Sequence, residues 1–269
     1  LALLPRINPN NIQQTVNKTD RYNISLLCSV ARFKNSDCLN ATLDHMTKEQ
    51  IDKSVSLTLT DQDYLGWSTL NFVSLYHDSI TAIRIIEALS KPILEDAVIK
   101  QCKNENAYGI TVMHQAFGMQ NNDFFHTIFN KINDECLNKL VLLTNKFNWS
   151  VMHSCAYELP ADILLAIIPR LTTDTINKAL QITCTDSGSK NMSVLHQLLF
   201  MQPPEVIKLF CDKADQAYLE EAFTTAMGAP GLVGMTPLMN ITSAHNNETL
   251  QYFMAKISQA VMADEIMKR

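Results

Sequence analysis

Gly109-Ile110-Thr111-Val112-Met113-His114-Gln115-Ala116 is the stretch that decides how this chain is organised. Its front half, [GN]-x-[ST]-x-[LM], occurs five more times: Asn23-Ile24-Ser25-Leu26-Leu27, Gly66-Trp67-Ser68-Thr69-Leu70, Asn148-Trp149-Ser150-Val151-Met152, Asn191-Met192-Ser193-Val194-Leu195 and Gly234-Met235-Thr236-Pro237-Leu238. The hydroxyl residues are spaced 43, 43, 39, 43 and 43 apart, a fixed period that marks tandem repeats. Gly and Asn accept φ > 0 at low cost, so a tight turn is expected two residues before each hydroxyl. The Ser or Thr then N-caps a first helix, its oxygen accepting from N–H groups of the first turn. Pro237, directly after Thr236, suits the first helical position.

Outward from that turn, a second helix is expected about eleven residues after each hydroxyl. An acidic residue, which suits the positive end of a helix dipole, stands near its start in five repeats: Asp37, Asp123, Asp162, Glu205 and Glu248. Apolar residues follow at helical spacing, as in Ile163, Leu164, Ile167, Ile168 and Leu171. Another good N-cap lies 22 residues after each hydroxyl: Thr47, Ser90, Asn133, Thr172, Asp215 and Ser258. Apolar residues four and eight positions further on, from Ile51 and Val55 to Met262 and Ile266, mark a third helix. Each repeat is therefore three helices and a return loop. The 39-residue repeat loses its four residues between Val141 and Asn148, in a loop, where deletion disturbs least. The boundaries are 23–65, 66–108, 109–147, 148–190, 191–233 and 234–269, with 1–22 as an N-terminal cap. The expected fold is all-α, a solenoid of six tandem helical repeats in one continuous domain.

The chain has 269 residues and a net charge of −5; 46 % of residues are hydrophobic and 18 % charged, as in an ordinary folded protein. The mild negative charge argues against nucleic acid as a partner. No apolar run approaches the roughly 18 residues of a membrane span. Seven Cys with no C-x-x-C pair read as free thiols in a reducing, cytoplasmic compartment. Seven Gly is well below the usual ~7 % of residues, and neither phosphate-loop motif is present, so no cofactor is expected. The chain opens on Leu1, which reads as a trimmed start, and no targeting segment is visible.

These residues resemble the ankyrin-repeat family, whose first-helix motif is G-x-T-P-L-H-x-A. The stretch 109–116 matches nearly all of it, and Gly234-Met235-Thr236-Pro237-Leu238 matches its front half. Pro204-Glu205-Val206-Ile207-Lys208-Leu209-Phe210 is similar to the second-helix run of the family, at the same offset. The resemblance covers 23–269; the departure is the period, 43 residues here against about 33 in the family. The extra ten residues make the third helix, in place of the usual extended fingers. The long repeat, the 22 Asn and the scarcity of Gly also resemble divergent ankyrin proteins secreted by intracellular bacteria such as Legionella. That likeness implies an effector, delivered into a host cell, that acts on a host protein.

Candidate chemistry is sparse. His114, His153 and His196 share the position three after the hydroxyl, where the resemblance implies a structural hydrogen bond between neighbouring turns. His77 and His245 share the end of the first helix and are expected as solvent-facing caps. Metal sites need ligands at spacings such as H-E-x-x-H, and none occurs. Cys155 lies two residues from His153, on a different helix face, so the two make no nucleophile–base pair. Cys102 and Cys184 share an apolar third-helix position with Leu59 and Met227 and read as small buried hydrophobes. Glu220-Glu221 and Asp264-Glu265 read as solvated helix faces. No catalytic, cofactor-binding or metal-binding residue is expected.

Two apolar rows remain. One precedes each hydroxyl: Ile24, Trp67, Ile110, Trp149, Met192 and Met235. It either packs against the third helices or forms a ridge that grips a partner. The other follows each hydroxyl by eight: Phe33, Tyr76, Met119, Glu158, Met201 and Ala244, with Tyr157 and Phe200 one residue earlier. The resemblance implies that these positions face a concave, exposed surface, where aromatics and Met serve protein binding; plain filling between helices is the alternative. The candidate partner-binding residues are Tyr76, Met119, Tyr157, Phe200 and Met201, with Trp67 and Trp149 at the edge. The function expected is a non-catalytic protein–protein interaction scaffold. Alternatives are the substrate-recognition part of a larger enzyme whose catalytic region lies outside this chain, and self-assembly through the solenoid ends.

Overall fold

A computed structural model describes residues 18–244 and 247–267. Among them are eighteen α-helices and no strand, three helices to each repeat. The first three repeats supply α1 (Leu26–Arg32), α2 (Ser36–Leu43), α3 (Lys48–Ser56), α4 (Thr69–Tyr76), α5 (Ser79–Ala88), α6 (Lys91–Ile99), α7 (Val112–Ala116), α8 (Asn122–Lys131) and α9 (Asp134–Leu140). The last three supply α10 (Val151–Glu158), α11 (Ala161–Ile167), α12 (Thr173–Gln181), α13 (Val194–Met201), α14 (Pro204–Asp212), α15 (Gln216–Thr224), α16 (Pro237–Ala244), α17 (Asn247–Lys256) and α18 (Gln259–Met267). The chain forms two compact units that divide after Cys136, inside α9. Of the 1–22 segment, residues 1–17 lie outside the described residues, as does His245.

Local chemistry sets each repeat. The six turn residues all have positive φ: Asn23 63°, Gly66 84°, Gly109 77°, Asn148 56°, Asn191 61° and Gly234 81°. Ser25, Thr111, Ser150 and Ser193 each accept the N–H three residues on, closing the first turn of the first helix. His114, His153 and His196 complete capping boxes, each Nδ1 accepting the cap residue's own N–H at 3.3 Å. Asn71 does the same in the second repeat, its Oδ1 2.8 Å from Ser68 N. Second helices start eleven residues after the hydroxyl in every repeat. Third helices start directly after Thr47, Ser90, Asn133, Thr172, Asp215 and Ser258. Their apolar i, i+4 residues are buried, save Ile266.

In the first unit, α1, α4 and α7 pack in sequence, as do α2, α5 and α8, and α3 packs on α6. In the second unit, α10, α13 and α16 pack in sequence, as do α11, α14 and α17, and α12, α15 and α18. Each unit is thus a solenoid-like stack in which equivalent helices meet. Phe72 and Phe124 fill the first unit and Phe210, Phe223 and Phe253 the second, all fully buried; each such ring contributes about 1.5–3 kcal/mol.

Side-chain struts tie neighbouring repeats. The cap N–H of each later third helix bonds a side chain five residues past the preceding cap. The pairs are Ser90 to Asp52 (2.9 Å), Asn133 to Glu95 (2.7 Å), Thr172 to Asn138 (2.8 Å), Asp215 to Asn177 (2.9 Å) and Ser258 to Glu220 (2.8 Å). Gln120 Nε2 donates to Ser74 O and His77 O at the end of α4, and Gln202 Nε2 to Ala156 O and Leu159 O at the end of α10. His77 belongs to this set, which corrects its expected solvent-facing role. It is 4 % exposed, its Nε2 2.8 Å from Ala31 O and its Nδ1 3.3 Å from Ser36 Oγ. An imidazole at that site satisfies a carbonyl, Ala31 O, that the end of α1 leaves open.

The return loops follow one rule. Leu59, Cys102, Cys184 and Met227 lie three residues beyond the third helix, not on it as the sequence suggested. Each is buried and donates its N–H to the carbonyl eight residues on: Trp67 (2.8 Å), Ile110 (2.8 Å), Met192 (3.0 Å) and Met235 (2.9 Å). In the 39-residue repeat Asn145 takes this place and reaches Trp149 O, four residues on, at 3.0 Å. The four-residue loss therefore lies inside the clip. Asn145 Oδ1 makes the shorter loop possible by accepting from Phe147 N and Trp149 N, and Asp20 Oδ1 does the same for Tyr22 N and Ile24 N.

Candidate functional site

The row at the end of the first helices reaches the surface. In the first unit Phe33 is 76 % exposed and Met119 57 %, while Tyr76 is half-buried, stacked on Phe72 with centroids 6.3 Å apart. In the second unit Tyr157 is 47 % exposed and Met201 48 %. Phe200 is half-buried against Cys184, Met192, Met227 and Ala229. Tyr76 and Phe200 therefore support the fold as well as the surface, and truncating either costs stability.

The row before each hydroxyl is mostly covered. It packs against the clip loops, so neither the third helices nor an open ridge describes its place. Trp67 is 7 % exposed and its indole N–H donates to Asn104 Oδ1 at 3.1 Å. That corrects its assignment as an edge contact, because the Asn104 loop at the end of the same repeat covers it. Trp149, at the same repeat position, is half-buried, donates to Ser154 Oγ at 2.7 Å and packs on the Cys184–Met192 cluster. Met192 is buried and Met235 partly so in that same cluster.

A further row escaped the sequence reading. The residue just before each turn Gly or Asn is a large apolar side chain in five repeats: Tyr22, Leu65, Tyr108, Phe147 and Val233. All but the half-buried Tyr22 are exposed. Their backbone explains the position: Tyr22 O accepts from Thr60 N at 3.2 Å, Leu65 O from Lys103 N at 2.8 Å, and Phe147 O from Thr185 N at 2.9 Å. The carbonyl is turned to the next loop, which leaves the side chain outside. The repeated pair of apolar residue and turn residue was the available signal.

At the mouth of the first unit, Arg32-Phe33-Lys34 ends α1 beside Tyr64, Phe72 and Tyr76, around a cleft of about 500 Å³. Arg32, Lys34 and Tyr64 are not among the residues expected from the sequence. The alternation of cation and aromatic at a helix end was the only mark they carried, and Tyr64 arrives from a loop about 30 residues away.

Among the described residues, nucleophiles and metal ligands are not assembled. Burial pushes the Cys28 thiol up to about 11 and those of Cys102 and Cys184 to about 12, so these are not thiolates. Cys155 and Cys211 are raised further by complete burial. His153 is committed on both sides, with Ser150 Oγ 2.7 Å from Nδ1 and Met192 O 3.2 Å from Nε2. Burial holds His196 down at about 4. Among the described residues no group of three His, Cys, Asp or Glu could hold a metal ion, and no helix is long and apolar enough to cross a membrane.

No family model matches the chain, and no curated protein matches it.

Proposed function

We propose that this chain is a non-catalytic protein–protein interaction scaffold. One observation carries the reading: large apolar side chains stand exposed at the end of the first helix in four repeats, Phe33 and Met119 in the first unit and Met201 in the second at one repeat position, with Tyr157 one residue earlier. Scattered exposed apolar residues are ordinary, but a set that recurs at the end of the first helix gives a partner a regular surface. Aromatic and Met side chains there supply area and adaptability, as interface cores require. The resemblance to ankyrin proteins of intracellular bacteria supports an effector whose partner is a host protein.

The test is affinity capture from a eukaryotic lysate, read by mass spectrometry, with wild type beside a variant carrying Phe33→Ser, Met119→Ser, Tyr157→Ser and Met201→Ser. These four side chains are exposed, so the variant keeps the wild-type melting temperature. A partner held by wild type and lost by the variant supports the scaffold. No capture above a control repeat protein, or equal capture by the variant, overturns it.

A further inference from the structure

The cleft at the end of α1 has an unusual electrostatic arrangement. The Arg32 guanidinium carbon lies 4.5 Å from the centre of the Tyr64 ring and 5.6 Å from that of Phe72. The Lys34 ammonium lies 4.3 Å from the centre of the Tyr76 ring. No carboxylate among the described residues comes within salt-bridge distance of either cation. Asp20 also lines the cleft, with its Oδ1 engaged by the N–H groups of Tyr22 and Ile24 at 2.8 and 2.9 Å. Stacking on a ring holds a guanidinium flat and leaves its N–H edge open to an acceptor.

The backbone adds an independent mark. Lys34 sits at φ 54°, in the left-handed region. Gly118 takes a similar φ, 77°, just past the end of α7. A long charged side chain in that conformation is disfavoured, and such departures concentrate at binding sites. Here the conformation places the Lys34 ammonium over Tyr76, on the wall of the same cleft as Arg32.

We infer that this cleft docks an acidic segment of a protein partner, a carboxylate meeting the open edge of Arg32 while a neighbouring apolar side chain rests on Phe33 and Tyr76. The inference rests on the scaffold reading and names the chemistry of what the scaffold takes. A purely apolar segment would bury two cations without partners, which is unfavourable, and a basic one would meet like charge. A carboxylate supplies the bidentate acceptor that a fixed guanidinium fits, and Lys34 adds a second positive charge.

Isothermal titration calorimetry with three acetylated, amidated peptides tests this: Phe alternating with Glu, with Gln, or with phosphoserine. The Glu peptide is expected to bind about tenfold tighter than the Gln peptide, and less tightly as salt rises. Arg32→Gln and Lys34→Gly should each bring the Glu peptide down to the level of the Gln peptide. Lys34→Gly should also raise the melting temperature, because Gly relaxes the left-handed backbone; this variant stays informative if loss of the Arg32 stack perturbs folding. Equal binding of Glu and Gln peptides, or Glu-peptide binding unchanged in both variants, overturns the inference while leaving the scaffold reading to its own capture experiment. Binding of the phosphoserine peptide alone, or of no peptide, overturns it as well.

Discussion

Replacing Gly66 with Ala tests the turn on which the repeat depends. Gly66 has φ +84°, and a Cβ there would lie 3.0 Å from Lys103 N and 3.3 Å from Gln101 O. Two costs follow. The left-handed backbone costs an L-residue about 1–2 kcal/mol. The contact with Lys103 N strains the 2.8 Å bond from Lys103 N to Leu65 O that ties the loops of neighbouring repeats, and such overpacking adds about 1 kcal/mol. The expected loss is therefore about 2–3 kcal/mol. Gly234 is the control: its φ is +81°, yet nothing lies within 4 Å of an added Cβ. Gly234→Ala should cost only the conformational part, about 1–2 kcal/mol. Gly66→Asn should fall between wild type and Ala. Asn tolerates the conformation, and at the equivalent turn Asn148 Nδ2 donates to Thr183 O at 2.8 Å, a bond that Gln101 O could accept here. Urea denaturation followed by circular dichroism measures the three. Tryptophan fluorescence in a Trp149→Phe background assigns the Gly66 effect to the first unit, where Trp67 is then the sole reporter. With a slope of about 1–3 kcal/mol/M, the Ala midpoint should drop by about 1 M. Equal shifts for Gly66→Ala and Gly234→Ala would remove the contact with Lys103 from the argument. No shift in either would refute the turn itself.

Three further outcomes are expected. Asn71→Ala should destabilise by about 2–3 kcal/mol in the same denaturation assay, since Asn71 is buried, holds Ser68 N and donates to Gln115 Oε1 at 2.8 Å, leaving both without partners when removed. His196 is neutral in the fold because burial lowers it from 6.5 to about 4, against the weaker pull of the Met235 and Thr225 carbonyls. Its contribution is therefore complete above pH 6.5 and lost as pH falls toward 4, by about 2–3 kcal/mol; His196→Asn, the choice made at Asn71, should flatten that part of the pH–stability curve, and an unchanged curve would count against it. Six of the seven thiols are buried, and Cys38 is the partly exposed one, so brief iodoacetamide treatment of the native protein should label Cys38 first by mass spectrometry; early labelling of Cys155 or Cys211 would contradict the packing.

What the sequence determined by itself is everything that short-range chemistry dictates. A Gly or Asn before a hydroxyl specifies a positive φ and then a cap, because the groups that satisfy one another lie within three residues. The six turns, the eighteen helices and the position of the four-residue loss were legible for that reason. Burial was not, because it depends on residues far away in the chain. Trp67 and Trp149 occupy the same repeat position. Yet the Asn104 loop closes over Trp67, while Trp149 turns to Ser154 in the helix that follows it and stays half-open. His77 looked like a surface cap until the carbonyl of Ala31, 46 residues away, claimed it. Phe33 and Tyr76 share one row, and only the packed structure separates the 76 % exposed ring from the one stacked on Phe72. The cleft of Arg32, Lys34 and Tyr64 is the extreme case. Its cations come from the end of one helix, Tyr64 from the far end of the same repeat, and Phe72 and Tyr76 from the next repeat, so no short stretch of sequence contains it; stacking two repeats completes it.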